Sequence, residues 1–550
     1  MMSVPSFCRA VSSGTGLPKI PLQNRVLMAM GIGLAILLCS CGGRERPGES
    51  CDVVERTPKM WPDYDGVVLP PNIAPLNFAV EEPGMGYFVR IHGAQGKPVE
   101  VRSGRREIRI PQRPWRQLLE SNRGGALSLD VFVKSGPTAQ TGDGAGPWQR
   151  FARVDFTIAN EGIDRFIVYR KIWPGHSFWG QMGVYQRDLE SYDERTILDN
   201  GSFRQGCVNC HTLCNHRADR MLLGIRSTTY GSSAILVHDG QVDKIGTKLG
   251  YASWHPSGAL IAFSINRVRQ LFHSAANEVR DVVDYDSLIV YYRVGDTMVR
   301  TAPPLARIDW LETYPTWSPD GRYLYFCCAP ITWKDRHSMP KEFDQIKYSL
   351  VRVPYDVETD HWGEGEPVLS ADQTGQSILL PRLSPDGRWL LFTMCDYGCF
   401  PVYRQSGDLY LMDLESGRQT GQYRYHRLGI NSDASESWHS WSSNGRWIAF
   451  SSKRLSHSFT RTYLAYVDEY GTAHQPFLLP QEDPRFYDSC LWTFSVPELA
   501  TEHVPVRTAK IARAVRAAER ISVQMPVTMA TPAASASSVQ DESWHQSGSR

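Results

Sequence analysis

Gly206 to His216 reads Gly-Cys-Val-Asn-Cys-His-Thr-Leu-Cys-Asn-His. Within it, Cys207, Cys210 and His211 have the C-x-x-C-H spacing of a covalent c-type haem site. Two thiols three positions apart can reach the two vinyl groups on one porphyrin edge and form thioethers. The adjoining imidazole then falls under the iron as proximal ligand. Two other readings share these residues: a structural zinc site formed with Cys214, since C-x-x-C is also a zinc half-site, and a buried disulfide.

The elements that must position this motif begin with a leader. Arg9, Lys19 and Arg25 precede an apolar run from Val26 to Leu38, too short to span a bilayer comfortably, and Leu38-Cys39-Ser40-Cys41 has the form of a bacterial lipobox. The expectation is a signal peptide over 1–40, cleavage before Cys41 and acylation there, which ties the mature chain to a membrane. Gly42, rather than Asp, points to the outer membrane facing the periplasm. In that oxidising compartment, pairing among Cys51, Cys214, Cys327, Cys328, Cys395, Cys399 and Cys490 is open, and sequence does not give the connectivity.

Hydrophobic residues make up 42% of the 550, enough for more than one core, and the net charge of +1 gives no reason to expect a nucleic-acid partner. After a tether over 41–60, short alternating segments broken by glycine run through 61–162 and suggest an immunoglobulin-like β-sandwich, read as a spacer. Residues 163–215, rich in large aromatics, read as a connector carrying the haem motif.

From 216 to 500 the chain repeats. Tyr251-Ala-Ser-Trp-His-Pro-Ser-Gly, Tyr314-Pro-Thr-Trp-Ser-Pro-Asp-Gly, Leu380-Pro-Arg-Leu-Ser-Pro-Asp-Gly and Trp438-His-Ser-Trp-Ser-Ser-Asn-Gly align without gaps. Each is a strand, a tight turn and the start of a second strand. Such hairpins with trailing strands predict a β-propeller of five to six blades. The fold class is therefore all-β, a sandwich followed by a propeller. Residues 501–550 read as a short basic amphipathic helix, taken as solvated, and a disordered tail.

The repeats also bear on a second axial ligand. His255 stands where the other three carry Ser318, Ser384 and Ser442, and His273 follows in a segment without counterpart; either is a candidate distal ligand. Met182 and Met221 are further candidates, and His216 lies too near His211. With no sixth ligand the site would be open to small ligands. No G-x-S-x-G, H-E-x-x-H, Walker loop or dinucleotide fingerprint occurs. The acidic pairs Asp284/Asp286 and Asp433/Glu436 read as turn and strand-edge residues.

The repeat segments resemble those of TolB, a periplasmic propeller protein of the Tol-Pal system. The order of motifs resembles Gram-negative lipoproteins that join a β-rich domain, C-x-x-C-H and a TolB-like propeller. Pro71-Asn-Ile-Ala-Pro-Leu-Asn-Phe78, Gly183-Val-Tyr-Gln-Arg-Asp-Leu189 and Phe450-Ser-Ser-Lys-Arg454 carry that likeness. It implies the fold, haem and an envelope location, and fixes no activity. The sequence thus points to a lipid-anchored monohaem c-type protein for electron transfer or redox sensing, with redox or envelope protein partners. The competing reading is a non-enzymatic TolB-like interaction protein whose motif is vestigial or binds zinc.

Overall fold

The repeat becomes a hairpin because its turn is chemically specified. In Ser318-Pro319-Asp320-Gly321, the Asp320 carboxylate accepts from the Ser318 hydroxyl at 2.6 Å and from the Arg322 amide at 3.1 Å. Gly321 takes φ +73°, a conformation that costs glycine nothing. Ser442 and Asn444 repeat the contact at 2.6 Å.

The computed structural model describes residues 47, 51–136, 146–173, 180–272, 280–335 and 339–518, without the Cys210 side chain. Cys41, His273 and the tail beyond 518 lie outside the described residues. No described helix is long and apolar enough to cross a membrane.

Six sheets of four or five strands follow one another as blades. Blade 2 starts at Cys207–Cys214, blade 3 at Ala252–Trp254, blade 4 at Trp310–Trp317, blade 5 at Ser377–Leu383 and blade 6 at Glu436–Trp441. Blade 1 is composite: Phe166–Trp173, Gln181–Asp188 and Glu194–Asp199 are completed on the inner side by Thr493–Ala500. The six inner strands touch in ring order, and the last meets both blade 6 and blade 2. The molecule is therefore a closed six-bladed β-propeller. Residues 163–215, read from sequence as a connector, instead form most of blade 1 and open blade 2. The haem-type motif sits on an inner strand.

The N-terminal region is built differently from the expected antiparallel sandwich. Ala126–Lys134 is central to a seven-stranded mixed sheet. Gly86–Gly93 lies along one edge, while Trp148–Phe151 and Val154–Ile158 share the other. Asp52–Val54 and Val68–Leu69 add parallel pairs. A separate three-stranded sheet and a helix, Gln112–Ser121, complete it. Trp115, Leu118 and Leu119 are spaced i, i+3, i+4 and buried, and the Trp115 indole donates to Ile73 O at 3.1 Å. This region shares one hydrophobic core with blades 5 and 6.

The C-terminal helix Thr508–Arg516 is docked rather than solvated. Ile511, Ala512 and Val515 are buried in a core with residues of blades 1 and 2, and Lys244 donates to the Val515 carbonyl at 2.6 Å.

Candidate functional site: the propeller axis

Inner strands approach the axis, and a recurrent irregularity determines what they present there. Strand pairing skips Tyr314 and Pro315 in blade 4, Leu380 and Pro381 in blade 5, Trp438 and His439 in blade 6, and Val496 and Pro497 in blade 1. The first residue of each pair is left-handed, with φ of 53°, 55°, 47° and 52°. A non-glycine residue held there costs about 1–3 kcal/mol. These four side chains come together in one apolar cluster, with Tyr251 of blade 3 packed against it. The rings of Tyr251 and Tyr314 are 4.2 Å apart, those of Tyr251 and Trp438 5.6 Å, and the Tyr314 hydroxyl donates to Cys399 O at 2.6 Å. The bulges thus plug the axis. Leu271 and Val283, on the long hairpin of blade 3, pack onto the same cluster.

On the other side of the plug, the axis opens into a funnel of about 430 Å³. Thr212, Ser253, Thr316, Arg382, Ser440 and Glu498 line it, one from each blade, with tryptophan or leucine next in each strand. Glu498 Oε2 accepts from the Leu213 amide at 2.9 Å, so the closing strand is hydrogen-bonded to blade 2 through a side chain. Glu498 is half-buried on the funnel wall. Burial pushes its carboxyl up to about 7, against the opposing effects of Arg382, the Leu213 amide and the Thr212 hydroxyl. Arg382 makes a 3.4 Å contact with the Pro381 carbonyl. The Ser440 hydroxyl, on the intervening blade, is 7% exposed and has no hydrogen-bond partner.

Cys207 and His211 lie beside the funnel and are not among the residues that line it. Cys207 is buried, its thiol pushed up by burial despite Arg226 and Arg170. His211 is 3% exposed, and neither ring nitrogen makes a well-formed hydrogen bond. Burial and the Arg170 charge lower it to about 3, the Val168 main chain offsetting this only in part, so it is a neutral imidazole. Val168 pairs with Glu498 in blade 1. His439 occupies the matching place two blades earlier, on the inner strand of blade 6. Its Nε2 meets Leu391 O at 3.1 Å, Leu391 pairs with Arg382, and burial lowers His439 to about 3 as well. His211 is therefore positioned as an inter-blade histidine.

Cys214 points the other way. It belongs to the core shared with blade 3, and its Sγ lies 3.9 Å from His255 O. Successive strand side chains alternate faces, so this strand does not gather Cys207, His211 and Cys214 at one point. No metal-holding group of three or more His, Cys, Asp or Glu occurs among the described residues.

His255 takes over the turn role of the serines it replaces. Its Nδ1 meets Ser257 Oγ at 2.7 Å and its Nε2 meets Gly321 O at 3.1 Å, tying blade 3 to the turn of blade 4. With both nitrogens engaged, it is not presented to iron at Cys207 and His211. Met182 does reach the motif, its sulfur accepting from the Val208 amide at 3.2 Å. Met221 is buried in the core of blades 1 and 2, and His216 sits on the funnel rim, its Nδ1 3.2 Å from Leu499 O. Asp284 is buried, accepts from Asn266 at 2.7 Å and is pushed up to about 7 by burial. Glu436 accepts from Ser432, Ser452 and Arg454. Cys207, Cys214, Cys327, Cys328, Cys395, Cys399 and Cys490 are free thiols.

Arg382, Ser440 and Glu498 were not singled out by sequence. The available signal was the third position of the repeats, where Arg382 replaces Ser or Thr. Glu498 had none, because its strand falls outside the four hairpins.

No family model matches the chain, and no curated protein does. Solved structures similar to it include TolB from Acinetobacter baumannii, at 15% identity and TM-score 0.38 over 60% of this chain and 66% of that one. A putative TolB from Agrobacterium tumefaciens shares 14% identity at TM-score 0.33, over 58% of this chain and 89% of that one. A prolyl endopeptidase shares 12% at TM-score 0.33, over 57% and 42%. The chain spans just under two thirds of the first of these. The likeness is distant, and the propeller stands on the chain's own sheet order.

Cys207 and His211 are packed into the blade 1–blade 2 contact, and the funnel beside them is lined by Thr212 and Leu213 instead.

Proposed function

We propose that this chain is a non-enzymatic docking protein of the bacterial envelope, whose propeller receives a partner at the funnel. The observation that carries this is the blind axis: plugged at one side and open at the other, it can bind but not conduct. The lipobox at Cys41 supports a lipid anchor, and the likeness to TolB-like lipoproteins supports the envelope location. Site-specific photocrosslinking tests the docking role. A crosslinker at Pro319 on the rim should trap a discrete partner in envelope preparations, while one at Asp372 on the outer edge should not. Equal yields, or none at the rim, overturn it. A Cys41→Ala variant should shift from the membrane to the soluble fraction.

A second reading is favoured by one observation, the buried imidazole of His211 without a well-formed hydrogen bond, which is what a metal ligand presents. Covalent haem at Cys207 and Cys210, with Met182 nearby, would supply one-electron redox chemistry for transfer or sensing. It requires the inner strand of blade 2 to pack differently. A denaturing-gel haem stain on protein made in cells that mature c-type cytochromes decides it: stain that stays with the polypeptide and is lost in His211→Ala or Cys207→Ala supports haem, and an unstained band rejects it.

A further inference from the structure

Arg382, Ser440 and Glu498 stand on three consecutive blades, 5, 6 and 1, and face one cavity. Opposite charges that face one half-buried cavity can close into a direct pair. Here they do not. Glu498 is held on the blade 2 side by the Leu213 amide, and the Arg382 guanidinium makes a weak 3.4 Å contact with the Pro381 carbonyl. Between them the Ser440 hydroxyl is buried without a partner. Unlike the other unpartnered hydroxyls among the described residues, it belongs to a residue of the funnel wall, where a ligand atom could supply the missing bond. The space is also suitable: about 430 Å³ lies within the ordinary range of small-molecule sites, roughly 300–1,000 Å³, and Trp254, Trp317 and Trp441 give it apolar walls.

We propose that the funnel floor binds a small zwitterion of amino-acid or dipeptide size, its carboxylate on Arg382 and its ammonium on Glu498. Ser440 hydrogen-bonds the atoms between them. The guanidinium offers a fork matched to a carboxylate. The ammonium would give Glu498 an ion-pair partner inside the funnel. Thr212, Ser253 and Thr316 complete a ring of hydroxyls around the rest of the ligand. The proposal rests on the funnel being a binding site, and it names which chemical class enters.

The test is calorimetric titration of the full chain with L-alanine and with L-alanyl-L-alanine, which separates a free amino acid from a peptide. N-acetyl-L-alanyl-L-alanine and L-alanyl-L-alanine amide remove one charge each. One of the two free probes should bind with one-to-one stoichiometry, and each blocked form should bind roughly tenfold or more weakly, the scale of one charged hydrogen bond. In Arg382→Gln the penalty for blocking the carboxylate should vanish while that for blocking the ammonium remains; Glu498→Gln, which keeps an acceptor for Leu213, should show the reverse. The blocked probes act on the unaltered protein, so misfolding of a variant does not confuse the result. Absence of binding by both free probes, or equal binding of free and blocked forms, overturns the proposal. Rim crosslinking in that case would leave the docking role standing, so the two failures are distinguishable.

Discussion

Glu498 is stabilised as a hydrogen-bond acceptor and penalised as a charge, and the penalty wins. With its carboxyl raised from the ordinary 4.5 to about 7, the folded chain holds a proton that the unfolded chain releases. Its contribution to stability is complete below about pH 4.5 and is lost as pH rises through about 7. Glu498→Gln should therefore flatten part of the decline in urea-unfolding free energy across that window. Asp284, also raised to about 7, sustains the remainder. The buried histidines work in the opposite sense. Lowered to about 3, His211 and His439 favour the folded state above about pH 6.5, and that contribution is lost as pH falls toward 3. His211→Leu should gain stability relative to the parent as pH drops, by up to about 1.4 kcal/mol per pH unit. A parallel pH profile for the two proteins would show that His211 is not the neutral inter-blade residue described. At this scale the sequence was legible only in part. His211 reads as a ligand because it follows a cysteine pair, while its equivalence to His439 depends on strand register, which single-sequence spacing does not convey.

Elements were read best where their ends are chemically marked. The four hairpins were legible because Pro, Asp or Asn, and Gly fix the turn locally. Blade 1 was not: its inner and second strands are far apart, with Arg170 and Ser495 bonded across 325 residues. Its aromatic strands consequently look like a connector. The C-terminal helix was legible as a helix but not as docked, since amphipathicity does not say what covers the apolar face. Ile511→Ala should lower stability by about 2–4 kcal/mol, the usual result for a fully buried isoleucine, measured by urea unfolding. A change within about 0.5 kcal/mol would return the helix to solvent. The left-handed residues at the plug were invisible to pattern reading, because nothing local announces φ near 50° at tyrosine, leucine or tryptophan; only closure around the axis requires it.

Across the whole molecule, the N-terminal region and blades 5 and 6 are joined by a common core rather than a hinge. Trp447 reaches across to Glu161 O at 3.1 Å, and Asn77 to Glu482 O at 2.9 Å. Arg485 links Glu81 and Glu107, but at 32% exposure these ion pairs contribute little. Arg485→Ala should therefore cost less than about 1 kcal/mol, and calorimetry should show one heat-absorption peak for the N-terminal region and the propeller together. Two separated peaks would mean that the shared core is not binding them. The all-β character could be read in advance. The common core could not, because each segment carries enough apolar residues for a core of its own.

The composite first blade also sets an order of events during biosynthesis. Phe166–Trp173 is among the earliest propeller strands to emerge, yet its inner neighbour, Thr493–Ala500, is nearly the last. Until translation passes residue 500, one row of backbone donors and acceptors stays open to any passing strand, including that of a sister chain. A chain exported through a membrane meets this hazard after translocation, so factors that shield nascent strands at the exit site would act on this blade above all others.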